Sequence, residues 1–481
     1  MVLPTTLINV LTGGLSSIHY LNMLDANLRL EPSNRTNKIK NIFLAICLKG
    51  DLIMEDTLYK SNHRKVALGL SIIPGVGQLY NRQYVKGIVF LILTGAFLYV
   101  FKDLLDIGLW GLFTLGEKVP RDHSIFLLIE GILALIISIL GVGFLLFNLR
   151  DAYLNGKKRD MGHKLNTLRE QYLTVIDAGF PYLMITPGFI LLIFTVIFPI
   201  IFVILLAFTN YDLYHSPPAK LVDWVGLKNF IDIGTMPLWR DTFLKVLSWT
   251  LIWTFGATTL QVAIGIALAI LVNQKDLKGK AIIRTVFILP WAVPAFVSIL
   301  VFAGMFNESF GAINLDILAA FGIDPIPWMT NKFWTRTALI LIQGWLGFPF
   351  IFAMTTGVLQ SIPNELYEAA TVDGATSWQK FRSITLPLVL FAIAPILITQ
   401  YTFNFNNFNV IFLFNDGGPA VAGQNSAGGT DILISWIYEL TMTSAQYSKA
   451  AAVTMLLSLI VITVALWQFR RTKSFQEEDM M

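Results

Sequence analysis

The sequence is poor in the residues most enzymes need. Cys47 is the single cysteine in 481 residues, so no intrachain disulfide can form. His19, His63, His123, His163 and His215 are scattered without zinc-ligand spacing, so no metal site is expected. No Ser–His or Cys–His cluster suggests a nucleophile and its base. A phosphate-binding Gly-x4-Gly-Lys-Ser/Thr run is missing as well. Its nearest look-alike, Gly279-Lys280, leads into Ala281 and has Gln274 where the first glycine belongs. The chain is therefore expected neither to hydrolyse ATP itself nor to carry a cofactor. Charge is also scarce: 14% of the residues are Asp, Glu, Lys or Arg, against about 25% in soluble domains.

Apolar sequence fills the space. Hydrophobic residues make up 55% of the chain and its mean hydropathy is +0.64. Many apolar runs reach the roughly 20 residues needed to cross a bilayer. Eight spans are predicted, near 84–101, 124–148, 181–209, 246–273, 285–306, 336–358, 384–413 and 448–468. The stretch 66–79 is too short to span and ends in Pro74-Gly75-Val76-Gly77, so it should lie at the interface or re-enter. The expected fold is all-α and polytopic.

Orientation follows from the basic residues of short loops. Arg150, Lys157, Lys158, Arg159, Lys164 and Arg169 lie in 149–180; Lys275, Lys278, Lys280 and Arg284 in 274–284; Lys380 and Arg382 in 359–383; Arg470, Arg471 and Lys473 in the tail. An even number of spans puts all of them on one side, with both termini in the cytoplasm of a plasma-membrane protein. Membrane topology thus accounts for the basic clusters, and no nucleic-acid partner is expected. The first apolar stretch, broken by glycine and polar residues, lacks a small-residue cleavage site. Residues 1–65 read as a cytoplasmic leader, with Met54 as a possible natural start. Residues 66–180 read as an extra hairpin region, 181–245 as the third span and an outer loop, 246–470 as the core, and 471–481 as a tail. Intramembrane charge is nearly absent. Glu130 is the main exception, within about two turns of the outer boundary by helical rise. Ion-coupled carriers bury such groups along their path, so the energy source should be another subunit.

The loop from Ile362 to Pro387 is the most specific feature. Pro363 opens a helix, Glu365 and Glu368 suit its first turns, and Gly374 should end it after about three turns. Such a short helix below the membrane suits a groove on another protein; on the residues alone it could equally be a generic interfacial helix. The pattern Glu368-Ala369-Ala370, Gly374 four residues on, then Ile384-x-Leu386-Pro387, resembles the EAA loop of type I ABC importer permeases, and the likeness covers roughly 245–470. Trp345-Leu346-Gly347-Phe348-Pro349, Phe403-Asn404-Phe405-Asn406-Asn407-Phe408 and Asn415-Asp416-Gly417-Gly418-Pro419 resemble the MalF-type subunits of maltose and maltodextrin importers. The large outer domain that some of those subunits carry between spans three and four is missing, since 210–245 is short.

The resemblance implies a permease subunit that moves maltodextrin-type oligosaccharides inward by alternating access. Its expected partners are a homologous MalG-like permease, an ATP-binding subunit dimer and a lipid-anchored sugar-binding protein outside. The ATPase-coupling residues would be Glu365, Glu368, Ala369, Ala370, Asp373 and Gly374. Two polar stripes read as sugar contacts: Gln343, Leu346, Gly347 and Phe350 in the sixth span, and Gln400, Phe403, Asn404 and Asn407 in the seventh. Each set is spaced i, i+3, i+4, i+7, one helix face. Amides offer donors and acceptors to sugar hydroxyls, a glycine lets a ligand approach the backbone, and aromatic rings can stack on a pyranose. Such residues also glue helices to one another. Phe405 and Asn406 fall off the stripe and are expected to face the partner permease. Family members often carry Asn, Tyr and Ser where this chain has Gln343, Phe350 and Gln400. The alternatives are therefore another cargo, such as galacto-oligosaccharides, and, further off, an ion-coupled carrier.

Overall fold

A computed structural model describes residues 62–177, 179–274 and 277–471. The Met54 start and most of the leader and tail lie outside the described residues. Among those residues the chain is helical, with two isolated bridges, Thr209 to Trp224 and Ala420 to Gly428, and no strand. It divides into two compact units, one of residues up to 102 with 136–185, the other of 103–135 with 186 onward.

The first unit contains α1 (His63–Leu70) and α2 (Val76–Tyr80), followed by the start of α3 (Tyr84–Thr114), the end of α4 (Ser124–Asp160) and α5 (Leu168–Asp177). The stretch 66–79 turns back on itself, because Gly75 takes φ +96° after Pro74, a conformation that few residues but glycine adopt. Side chains lock the turn to α4. The Gly75 N–H donates to Asn148 Oδ1 (3.2 Å), Asn148 Nδ2 donates to the Ser71 carbonyl (2.8 Å), and Gln78 Nε2 donates to Asp151 Oδ2 (3.1 Å). Ser71, Gln78, Asn81 and Asn148 are fully buried; the amide N–H groups of Gln78, Asn81 and Asn148 are hydrogen-bonded, while Ser71 Oγ, Gln78 Oε1 and Asn81 Oδ1 have no partner.

Among the described residues seven helices are long and apolar enough to cross a membrane: Tyr84–Thr114, Ser124–Asp160, Phe180–Leu206, Pro237–Val272, Lys332–Ser361, Ser377–Asn415 and Tyr447–Leu466. The third is α6 (Phe180–Leu192), a π turn at Ile193–Ile197 and α7 (Phe198–Leu206). The π turn leads into Pro199, which has no N–H to give a regular helix.

The predicted fifth span, 285–306, is not a straight helix. It consists of α10 (Lys280–Ala292) and α11 (Ala295–Met305), bent by 89°; α8 (Lys228–Thr235) and α9 (Pro237–Val272) precede it. Pro294 pushes Val293 out of the helical region to φ −87°, ψ 131°. Among the described residues there are thus seven candidate spans, or eight with this pair counted as one.

The predicted seventh span is interrupted as well. After α12 (Lys332–Ser361), α13 (Asn364–Val372) and α14 (Ser377–Lys380), it runs as α15 (Leu386–Phe405) and α16 (Phe408–Asn415). Asn406 and Asn407 leave helical geometry between them. The last helices are α17 (Leu433–Met442) and α18 (Tyr447–Arg471).

The second unit holds an aromatic core of Trp249, Trp253, Ile299, Phe306, Trp328, Leu339, Ile411 and Phe414, contributed by α9, α11, α12, α16 and the loop before α12. Full burial of one such side chain stabilises the fold by roughly 1.5–3 kcal/mol. The loops at one end are tied together by polar contacts. Asn415 Nδ2 donates to the Met329 carbonyl (3.0 Å), the Asn425 N–H to Thr242 Oγ1 (3.0 Å) and the Ser448 N–H to the Tyr211 carbonyl (3.0 Å).

Candidate functional site

Inside the second unit, α9, α12 and α15 bring buried amides into one chain. Asn407 Nδ2 donates to Gln343 Oε1 (3.0 Å), Gln343 Nε2 to Gln261 Oε1 (3.1 Å) and Gln261 Nε2 to Gln400 Oε1 (3.1 Å). Asn404 Nδ2 donates to Thr258 Oγ1 (2.8 Å), and the Asn404 carbonyl accepts from Trp253 Nε1 (2.8 Å). Gln261, Thr258 and Asn404 are 0% exposed. In a hydrocarbon layer such groups must satisfy one another, and here they do so across three helices.

Four of the eight predicted stripe residues join this chain: Gln343, Gln400, Asn404 and Asn407. Asn407 reaches it from the break after α15 rather than from one face of a continuous helix. Gly347 faces Gln261, where a Cβ would overlap the Gln261 amide oxygen; the glycine makes room for that amide. Leu346 packs on the aromatic core. The Phe350 ring meets Trp291 edge-on at 5.7 Å. Phe403 is 60% exposed and stays outside the amide chain. Phe405, expected to face a partner, is buried within this chain, and only Asn406 is exposed. Phe405 lines a pocket with Leu251, Thr254 and Phe255 of α9.

Gln261 and Thr258 belong to this site although neither was singled out in the sequence. A signal was present: Thr254, Thr258 and Gln261, spaced i, i+4, i+7, share a helix face.

The second candidate region is the Ile362–Thr385 loop. Helix α13 is a little shorter than the three turns expected, and Gly374 at φ +76° ends it. Thr376 and Gln379 form a capping box on α14. Lys380 Nζ donates to Thr371 Oγ1 (2.6 Å), holding α14 to α13, and Tyr367 Oη lies 3.0 Å from Thr385 Oγ1. Glu365, Glu368, Ala369, Asp373 and Gly374 are exposed, whereas Ala370 is half-buried. The apolar Leu366, Val372 and Trp378 are exposed beside them. A fixed short helix with solvent-facing carboxylates and apolar side chains is a surface suited to another protein.

At the opposite end of this unit, Asp431 is sealed beneath the loop that begins at Asn415. Its Oδ1 accepts from Ser435 Oγ (2.7 Å) and its Oδ2 from the Gly428 N–H (2.7 Å). Burial pushes its carboxyl up to about 6 despite these two donors. No group of three or more His, Cys, Asp or Glu suited to a metal ion occurs among the described residues.

Comparisons with known proteins fit this architecture. Residues 261–474 match the family described as binding-protein-dependent transport system inner membrane component. The chain is 64% identical over 416 residues to the galactooligosaccharides transport system permease protein GanP of Bacillus subtilis, covering 86% of this chain and 99% of the relative. It is 51% identical over 426 residues to the maltodextrin transport system permease protein MdxF of the same organism, covering 87% and 98%. A bacterial ABC transporter structure involved in alginate import shares the fold, with a TM-score of 0.53 and 22% identity over 63% of this chain and 98% of that one. With its apolar spans and these near full-length relatives, the chain belongs to the family of inner-membrane permease components of binding-protein-dependent ABC transport systems.

Proposed function

We propose that this chain forms one half of the pore of an oligosaccharide importer, driven by a separate ATPase that docks on the loop around α13. The observation that carries the coupling role is the exposed helix Asn364–Val372, braced by Lys380 and Tyr367 and stopped by Gly374. Glu365, Glu368, Ala369, Asp373 and Gly374 would touch the ATPase, while Ala370 supports them from the half-buried side. The loop then faces the cytoplasm with both termini, in line with the basic residues around it. A homologous permease would complete the pore, and a sugar-binding protein would deliver cargo to the opposite end.

Sugar contact is assigned to the end of the amide chain at Gln400, with Phe403 and Phe350 as stacking surfaces. Gln400 is half-buried and is the one chain member whose amide N–H groups make no hydrogen bond among the described residues. Two relatives named for maltodextrin transport, at 51% and 52% identity, support maltodextrin-type cargo. Galacto-oligosaccharides form the second reading, favoured by the higher identity of 64% to GanP.

The test is ATP hydrolysis by the chain reconstituted with its partner permease, ATPase and binding protein, in the presence of maltotriose or a galacto-oligosaccharide. Stimulation by one sugar class identifies the cargo. Absence of stimulation by any oligosaccharide would overturn the importer role.

A further inference from the structure

Within the first unit, a cavity of about 450 Å³ opens beside the start of α3, lined among others by Arg82, Gln83, Lys86, Arg159 and Asn166. Three of these side chains are cationic. Lys86 pairs with Asp151 (2.6 Å), and Arg159 is held by the Tyr80 carbonyl (2.6 Å) with its guanidinium 5.2 Å from the Tyr80 ring centre. Arg82 is exposed and at φ +65°; its backbone N–H donates to the Leu79 carbonyl (2.9 Å), but its guanidinium makes no hydrogen bond or ion pair among the described residues. Gln83 is 8% exposed, yet its amide oxygen is buried and has no partner. A buried acceptor in that state costs free energy until a donor reaches it.

The cavity thus offers cationic groups for an anion and a buried acceptor for a hydroxyl. Beside it, Tyr84, Val85 and Ile88 are exposed, and Val89, Ile92 and Leu93 continue the exposed apolar face of α3. A ligand with an anionic, hydroxylated head and apolar tails matches both surfaces. We propose that this cavity binds the phosphoglycerol headgroup of an anionic phospholipid, with Arg82 and Arg159 facing the phosphate and Gln83 accepting from the glycerol, while the acyl chains lie along α3. The shared chemistry is a phosphate ester anion, and the apolar flank assigns it to a lipid rather than to a soluble phosphate. The leaflet rests on the proposed orientation, which makes it the cytoplasmic one.

Native mass spectrometry of the full-length chain, titrated with phosphatidylglycerol, phosphatidylethanolamine or glycerol 3-phosphate, tests this. Phosphatidylglycerol should bind in preference, and Arg82→Gln should weaken it roughly five-fold, the effect of one cation near an anionic surface. Arg82→Lys should restore most of the binding. Asn166→Asp, which adds an anion from an exposed loop position, should weaken it too and stands in if Arg82 variants fail to fold. Arg150→Gln removes the same charge from an exposed site outside the cavity and should leave binding unchanged. Equal loss in Arg82→Gln and Arg150→Gln would reduce the effect to bulk surface charge and overturn the site. Competition by glycerol 3-phosphate at equal concentration would assign the cavity to a soluble phosphate and overturn the lipid. Orientation is read separately, by labelling Arg82→Cys in a Cys47→Ser background from either side of sealed vesicles. Labelling from outside would move the site to the other leaflet without touching the binding result.

Discussion

At the scale of single residues, the amide chain stands or falls with Gln261, since it is the link between α12 and α15. Gln261→Leu leaves Gln343 Nε2 and Gln400 Oε1 without their partners. Stranding such a group costs about 1–3 kcal/mol, so the melting temperature in detergent should fall by several degrees and sugar-stimulated ATP hydrolysis should drop. Gly347→Ala should act through the same residue, because its Cβ would displace the Gln261 amide; crosslinking or melting of Gly347→Ala indistinguishable from wild type would count against that link. Asp431 predicts a pH dependence. Its carboxyl titrates near 6 when folded, above the roughly 3.9 of an unfolded aspartate, so the folded form holds the proton more tightly. The associated stability is fully present below about 4 and is lost as pH rises through about 6. Hydrogen exchange at Gly428–Thr430, corrected for intrinsic rates, should report tighter closure at pH 5 than at pH 7.5, and Asp431→Asn should remove the difference. Gln343, Gln400, Asn404 and Asn407 were legible in the sequence as amides out of place in apolar runs. Their partners Gln261 and Thr258 carried a signal too, a shared helix face, but nothing local in the sequence tells which residues of a distant helix they meet.

Among elements, length and apolar content predicted the spans well, because crossing a bilayer depends on little else. Bends were harder to read. Pro290 and Pro294 were visible, but proline can kink a helix slightly or break it, and the 89° turn depends on Val293 becoming extended. The break at Asn406 and Asn407 had no proline to announce it. The start and end of α13 were readable, since Pro363 and Gly374 act through short-range backbone chemistry, whereas the Thr376–Gln379 capping box was not read. That locality makes a sharp prediction. Gly374→Ala places a side chain at φ +76°, a strain of roughly 1–2 kcal/mol, and should loosen α13 from α14. Basal ATP hydrolysis by the reconstituted complex should remain, while its stimulation by sugar should fall several-fold. Unchanged stimulation would remove Gly374 from the coupling surface.

For the whole molecule, the division of labour was expected from two absences, a nucleotide-binding loop and a buried ion path, and from the short helix in the 362–387 loop. The near full-length relatives place the chain among the permease components of binding-protein-dependent transport systems, and they differ from one another in the cargo they are named for. Uptake of labelled maltotriose and of a galacto-oligosaccharide by cells carrying the complete system should therefore differ by well over the few-fold that one altered contact produces. Asn404→Ala should reduce uptake of whichever sugar is carried without lowering the amount of chain in the membrane. Equal uptake of both sugars, unaffected by Asn404→Ala, would point to a pore that does not read its cargo through these amides.

The amide chain also has a sense of direction. From Asn407 through Gln343 and Gln261 to Gln400, every N–H points the same way along the series. Reversing one member alone would set two oxygens, or two N–H groups, against each other at its neighbours. The series therefore turns over whole or stays as it is, like a row of compass needles. Gln400 at its far end presents N–H groups in one state and an oxygen in the other. The series starts at the break after α15, crosses α12 and α9 and returns to α15, so three spans share one hydrogen-bond polarity.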